Sequence, residues 1–328
     1  MKIFITGGDG FLGSNLVRVL LNCGHELRIL VLLGRQTNTL DGLNLEIVEG
    51  DLLNYDSLKL AAKDSEAIFH IAANTSLWPS RSDIVNKINI EGTRNILRLA
   101  KALDVYRFIH VGTANTFSFG TLENPGMENT EYNGWQYGLD YMDSKWKAHQ
   151  LVMNAVKEGL PAVVVNPTFM FGAYDSLPSS GAMIIAVNSQ KLPGYAPGGR
   201  NYICVKDAAI GIANALEKGR IGESYIIGNE NLSYEQAFGK IAIVIGVKAP
   251  KLRIPKWVLL LYGRINSIMA VITAKKPKVS FPMAKIACDE HYFKAAKAVR
   301  ELDLPQSPIE EGIRESFDWL KSNGYIVD

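Results

Sequence analysis

The sequence predicts an α/β fold in which a doubly wound parallel sheet carries a smaller, mostly helical C-terminal region. Three observations lead there. Short apolar runs alternate with longer segments of helical periodicity through the first half, a glycine-rich turn joins the first run to the first helix, and the rhythm breaks after Pro167. Continuous apolar strands separated by helices imply a sheet covered on both faces.

The predicted strands are Ile3–Thr6, Leu27–Leu32, Glu46–Val48, Ala67–Ile71, Phe108–Val111 and Ala162–Asn166, each rich in Val, Ile, Leu or Phe and bounded by polar or glycine-containing turns. The helices between them are expected over Phe11–Leu21, Ser57–Ala62, Ile84–Ala102 and Tyr141–Glu158. Residues Phe171–Arg200 are dense in glycine and proline and read as loop. Val205–Leu216 returns as helix and Ser224–Ile227 as one more strand of the sheet, while Tyr234–Ile245, Trp257–Thr273 and Pro308–Asn323 read as further helices. The organisation expected is a dinucleotide-binding domain over 1–166, joined again by 205–228, and a substrate-binding region over 167–204 and 229–328.

A chain of 328 residues with 47% hydrophobic and 21% charged residues buries a large core and is not a disordered protein. Its net charge of +2 shows no basic block of the kind that binds a phosphate backbone, so nucleic acid is not expected as a partner. Cys23, Cys204 and Cys288 are scattered and without histidine companions, which excludes a disulfide framework and a zinc site and fits a reducing, cytoplasmic setting. The apolar start of the chain is too short for a signal-peptide core and is broken by glycines. The Trp257–Thr273 segment is strongly apolar, but Arg264, Asn266 and Ser267 interrupt it. It is read as a buried or amphipathic helix, with an interfacial helix as the alternative, and a membrane is not the expected partner.

Glycines at 7, 10 and 13 stand between the first strand and its helix. Gly7 permits a tight turn, Gly10 lets the backbone approach a pyrophosphate, and Gly13 lets the helix lie close on the strand. The phosphates would then meet the N–H groups of Phe11 and Leu12 at the helix start, where the peptide dipoles favour negative charge. The flanking elements are those the mechanism requires, so a Rossmann-type dinucleotide site is expected. Asp51, in Gly50-Asp51-Leu52, offers a contact to the adenine amino group or serves only its turn. No acid ends the second strand at Leu30-Val31-Leu32-Leu33-Gly34-Arg35. Arg35 is the nearest cation, which favours NADP while leaving NAD open.

Tyr141 and Lys145 are four residues apart at the start of a helix and so share one face. A phenol with a pKa of about 10 is a poor acid–base group at neutral pH. A neighbouring ammonium and a positively charged nicotinamide would both stabilise its phenolate. Tyr141 would then exchange a proton with a substrate alcohol or carbonyl while hydride moves. Thr113, at the end of the preceding strand, would hydrogen-bond the same oxygen, and Thr116 competes for that role. His70 and His110 close apolar strands and read as buried structural residues, and no metal is expected. Trp78, Trp135, Tyr137 and Tyr174 lie on loops after strand ends, placed either to line a substrate wall or to pack.

Together the TGGDGFLG turn, GDL at 50–52, HIAA at 70–73, NIEGT at 89–93, Thr113 and YMDSK at 141–145 resemble an extended short-chain dehydrogenase/reductase of the NAD-dependent epimerase/dehydratase family. The running text is similar to its dihydroflavonol 4-reductase-like and hopanoid-associated sugar-epimerase-like branch. The resemblance spans essentially the whole chain. It implies Tyr141 as acid/base, Lys145 as its partner and ribose anchor, Thr113 in place of the commoner serine, and Asn89 behind them. It also implies Ala72 beside the cofactor, Pro167 where the chain passes the nicotinamide, and a homodimer paired through the helices near Ile84–Ala102 and Tyr141–Glu158. Leu32 and Gly112-Thr113 depart from the family pattern, the first leaving cofactor choice open. The expected substrate is a small carbonyl or alcohol, reduced or oxidised by an NAD(P)-dependent enzyme. A nucleotide-sugar epimerase is the alternative and a non-catalytic dinucleotide sensor the second. A 4,6-dehydratase is disfavoured because Ala114-Asn115 supply no carboxylate after Thr113.

Overall fold

The computed structural model describes residues 1–326; the last two residues of the region expected over 229–328 lie outside the described residues. The strands are β1 (Lys2–Thr6), β2 (Glu26–Val31), β3 (Glu46–Glu49), β4 (Ala67–His70), β5 (Arg107–Val111), β6 (Ala162–Pro167), β7 (Phe169–Phe171), β8 (Gly199–Cys204), β9 (Ser224–Ile227), β10 (Glu230–Ser233) and β11 (Glu290–His291). The helices are α1 (Phe11–Asn22), α2 (Tyr55–Ala61), α3 (Asp83–Asn86), α4 (Gly92–Ala102), α5 (Asp140–Lys157), α6 (Gly181–Asn188), α7 (Val205–Lys218), α8 (Tyr234–Ile245), α9 (Lys256–Thr273), α10 (Phe281–Cys288), α11 (Ala296–Leu302) and α12 (Ile309–Ser322).

Seven strands form a wholly parallel sheet in the order β3-β2-β1-β4-β5-β6-β9. Alternate side chains feed its two faces. Ile3, Ile5, Ile29, Ile109 and Val163 pack with Leu16 of α1 and Ile212 of α7, whereas Phe4, Ile68, Phe108 and Val164 pack with Leu97 of α4 and Val152 of α5. Strand order reverses between β1 and β4, which opens a crevice at the carboxyl ends of these strands.

The helix expected over Ile84–Ala102 forms as α3 and α4 joined by a π-helical turn at Lys87–Glu91 that contains Asn89. Two other expectations need correction. The second region is not only helices and loops, because β8 gathers β7, β10 and β11 into a separate four-stranded sheet. Its strands run only two to six residues and sit among glycines and prolines, so neither periodicity nor length marked them. The helix expected to be buried or amphipathic, α9, turns most of its apolar side chains to solvent: Trp257, Leu261, Ile265, Ile268 and Ile272 are all exposed, and only Gly263 and Ala270 are buried. Among the described residues, no helix is long and apolar enough to cross a membrane.

Candidate active site

The glycine turn is built as its spacing requires. Gly7 has φ +74°, and a Cβ there would lie 2.6 Å from the amide nitrogen of Ala72, so only glycine lets β1 and the end of β4 come this close. A Cβ on Gly13 would meet the Gly7 carbonyl oxygen at 2.0 Å. Gly10 differs, since its Cβ would meet only that oxygen, at 3.4 Å, and would otherwise point into open space. Gly10 is also the N-cap of α1 without a side-chain cap, and the amides of Phe11, Leu12 and Gly13 have no acceptor among the described residues. A turn with free donors and one open glycine face fits a dinucleotide pyrophosphate.

Around this turn, Arg35 reaches back from beyond β2 to pair with the buried carboxylate of Asp9, while Leu32 and Leu33 are exposed. Asp51 is exposed and accepts from Leu53 N at 2.9 Å, closing its own turn. Leu52 is buried beneath Gly92, where a Cβ would lie 3.2 Å from it. Ala72 N donates to Thr6 O at 3.0 Å, and Pro167 ends β6.

Tyr141 and Lys145 lie in the first turns of α5 beside the end of β5. Burial raises the Tyr141 phenol above the usual tyrosine range, while hydrogen bonding to Thr113 and the charge of Arg200 pull it back down. Lys145 is buried and donates to Val111 O at 2.7 Å; burial lowers its pKa to about 8. The ammonium is held on the end of β5, and Arg200 of β8, which the sequence did not point to, adds a positive charge that lowers the pKa of the phenol. Thr116 is committed elsewhere, donating to Thr113 O at 2.8 Å, which leaves Thr113 as the hydroxyl facing Tyr141. Gly112 replaces a bulkier residue for a steric reason, because a Cβ there would stand 2.2 Å from Asn166 Oδ1.

Asn89 is fully engaged. Its amide donates to Asn74 O at 3.0 Å and to Ser144 Oγ at 2.9 Å and accepts from Asn74 N at 2.7 Å, pinning the segment after β4 onto α5 one residue before Lys145. His70 is held between Thr6 and Thr93, and burial lowers its pKa to about 3. His110 is likewise buried and held well below its usual value. Both are neutral structural side chains beneath the site.

The four loop aromatics separate. Tyr137 donates to Asp289 Oδ2 at 2.8 Å and lies 3.1 Å from His291 Nε2, whereas Trp135 packs edge-on against Tyr132 and Trp146. Tyr174 lies under the guanidinium of Arg18, and Trp78 O accepts from Ser76 Oγ at 2.8 Å. Sequence reasoning missed Arg200, Asp289 and His291. Arg200 Nε donates to Tyr234 at 2.7 Å, His291 stacks on Phe119 at 4.0 Å, and the charge of Arg200 is felt by Tyr137, Tyr141 and His291 alike. These residues come from the small sheet and the segments joined to it, whose strands carried no readable pattern.

The model of the NAD dependent epimerase/dehydratase family matches residues 3–228. A Synechocystis protein named "Putative dihydroflavonol 4-reductase" is 32% identical over 98% of this chain and 95% of its own length. Sterol demethylase protein B of Methylococcus capsulatus is 26% identical over 99% of this chain and 100% of its own. The crystal structure of gox2253 superposes with a TM-score of 0.87 at 31% identity, covering 99% of both chains. The chain belongs to the NAD dependent epimerase/dehydratase family and is an extended short-chain dehydrogenase/reductase, an NAD(P)-dependent oxidoreductase.

Proposed function

We propose that the protein interconverts a carbonyl and the matching alcohol on a small or medium-sized organic substrate, with Tyr141 as the acid/base. The observation that carries this reading is the placement of the Tyr141 phenol at the start of α5, beside the end of β5 and Thr113; burial raises its pKa, and the Thr113 hydroxyl and the Arg200 charge offset part of that rise. Gly7, Gly10 and Gly13 and the free amides of Phe11 and Leu12 would hold the pyrophosphate, and Lys145 and Pro167 would border the nicotinamide side. The bound cofactor supplies or accepts the hydride. In the reducing direction Tyr141 gives its hydroxyl proton to the substrate oxygen while Thr113 holds that oxygen in place. In the oxidising direction the phenolate takes the alcohol proton. Arg200 stabilises the phenolate in either case.

Among the similar proteins, the Synechocystis relative bears a reductase name at 32% identity over nearly the whole chain, which favours a reductase over an epimerase. The epimerase reading draws on the family name and on structures titled as epimerases, which at 20% to 24% identity share the fold. Net consumption of reduced cofactor with a carbonyl substrate supports the first, and product formed without net consumption supports the second. Replacing Tyr141 with Phe removes the acid/base, so turnover is expected to fall about 10²- to 10⁴-fold with cofactor binding kept; unchanged turnover rejects the assignment.

We also assign NADP as the preferred cofactor. Arg35 is the cation nearest the end of β2, no acid stands there to bind a 2′-hydroxyl, and Arg35 already lies against the glycine turn through Asp9. The variant Arg35→Ala should weaken NADPH binding about tenfold or more and leave NADH binding nearly unchanged, as one lost charge-assisted phosphate contact implies. Equal loss for both cofactors argues against the assignment.

A further inference from the structure

Helix α9 is seated by one narrow face. A Cβ on Gly263 would stand 2.7 Å from Ala284 Cβ, Ser267 Oγ accepts from Phe281 N at 2.8 Å, and Ala270 is buried, so a stripe of small residues lies against α10. The opposite face holds Trp257, Leu261, Ile265, Ile268 and Ile272, spaced to fall in one line along the helix and each between 51% and 71% exposed. A contiguous apolar face of this kind on a folded protein marks a surface that something covers.

Charge says what covers it. Between Glu235 and Asp289 the chain has ten Lys and Arg and no Asp or Glu, although the whole protein nets only +2. Lys251, Arg253 and Lys256 gather at the start of α9, and Lys275, Lys276 and Lys278 follow its end. Of these six, only Lys256 has a carboxylate partner among the described residues, Asp289 at 3.5 Å. A second copy of this chain docked face to face would bring these like charges together, whereas an anionic lipid surface would neutralise them while its acyl region takes up the apolar line.

The placement of the pocket agrees. A cavity of about 810 Å³ opens between Phe119, Gln136 and the Arg253–Lys256 segment leading into α9, and Asp289 on its wall holds Tyr137. Because α9 lies at the rim of this cavity, a surface that receives the helix also lies beside the opening.

We propose that α9 is an in-plane anchor that seats the protein on an anionic bilayer, with its cavity mouth beside the lipid. The anchor does not depend on the chemistry assigned to Tyr141, so the variant Tyr141→Phe should bind vesicles as the unsubstituted protein does.

The test is flotation with vesicles of phosphatidylglycerol or of phosphatidylcholine, with melting temperature and cofactor titration as controls of folding. The protein should float with phosphatidylglycerol and stay below with phosphatidylcholine. The exposed double substitution Ile265→Glu and Ile268→Glu should abolish flotation. The triple substitution Lys275→Glu, Lys276→Glu and Lys278→Glu should weaken partitioning at least about a hundredfold, the loss of three surface cations alone, with the three new negative charges adding to it. Both sets should retain the melting temperature and cofactor binding. The proposal is overturned if the unsubstituted protein does not float with phosphatidylglycerol, if the isoleucine variant floats equally well, or if a lipid-free dimer dissociates on that substitution.

Discussion

The last two glycines of the turn, Gly10 and Gly13, separate binding from fold, and the contrast is quantitative. Alanine at position 13 places a Cβ 2.0 Å from the Gly7 carbonyl oxygen and 2.7 Å from the Gly8 Cα, both backbone atoms with no rotamer in which to retreat. Relief requires α1 to move off β1, an overpacking cost of about 3 kcal/mol, which for a chain of this size lowers the melting temperature by about 5 °C. Alanine at position 10 meets one atom at 3.4 Å, and the backbone there, at φ −82° and ψ 175°, is open to any residue. Gly10→Ala should therefore change stability by no more than about 1 kcal/mol, the entropy gained in the unfolded chain being offset by a poorer N-cap. Its methyl group nevertheless occupies the open face that a pyrophosphate would use, so cofactor affinity should fall at least about tenfold, about 1.4 kcal/mol. The assay is thermal unfolding without cofactor, paired with titration of reduced cofactor by its fluorescence. A Gly10→Ala protein that binds cofactor normally, or a Gly13→Ala protein that melts with the unsubstituted one, would refute the placement of the phosphates and the packing argument respectively.

Two further outcomes follow from charge. Arg200→Met removes a cation that lowers the Tyr141 pKa, so the rising limb of alcohol oxidation against pH, which reports the phenolate, should move to higher pH; a limb that stays put or moves down removes Arg200 from the site. Lys145 is lowered by burial from 10.5 to about 8, so between those values the unfolded chain holds a proton that the folded chain has released, and this group's contribution to stability rises with pH across that window. Lys145→Met should erase that rise, roughly 3 kcal/mol at most, seen as a pH-dependent gap between the unfolding curves of the two cofactor-free proteins; a constant gap from pH 7 to pH 10.5 contradicts it.

Much of the main sheet was legible because most of its strands are buried enough to be plain apolar runs, the exposed edge strand β3 being the exception. Ser224–Ile227 was placed to the residue after a gap of more than fifty positions, since a fully buried edge strand carries the same signature as a central one. The glycine turn was legible for a different reason: three backbone approaches leave no room for a Cβ or need none there, and they constrain residue type directly. The small sheet obeyed neither rule. β8 is joined on one edge by β7 and β11 in succession and on the other by β10, so its partners are short pieces drawn from distant parts of the chain. Contacts of that kind are decided by tertiary packing, and a short window of sequence holds no trace of them.

The same distinction explains which candidate site residues the sequence could name. Tyr141, Lys145 and Thr113 are local features of one helix start and one strand end, and their roles depend on spacing that survives in the linear text. The charge of Arg200 acts on the phenol from β8, a strand of the small sheet, and in sequence the residue is a cation after two glycines in a loop-like stretch. Its position also adds to the electrostatics. Lys145 is four residues from Tyr141, its ammonium is bound to Val111 O, and with its pKa lowered by burial to about 8 it is mostly charged at neutral pH and loses that charge as the pH rises through 8. A guanidinium keeps its proton in the same surroundings, so Arg200 remains charged where Lys145 is poised to lose its charge. Burial raises the pKa of the phenol and Arg200 offsets part of that rise from the small sheet, so a change in the β8 segment that moved this guanidinium would alter the acidity of Tyr141 as well.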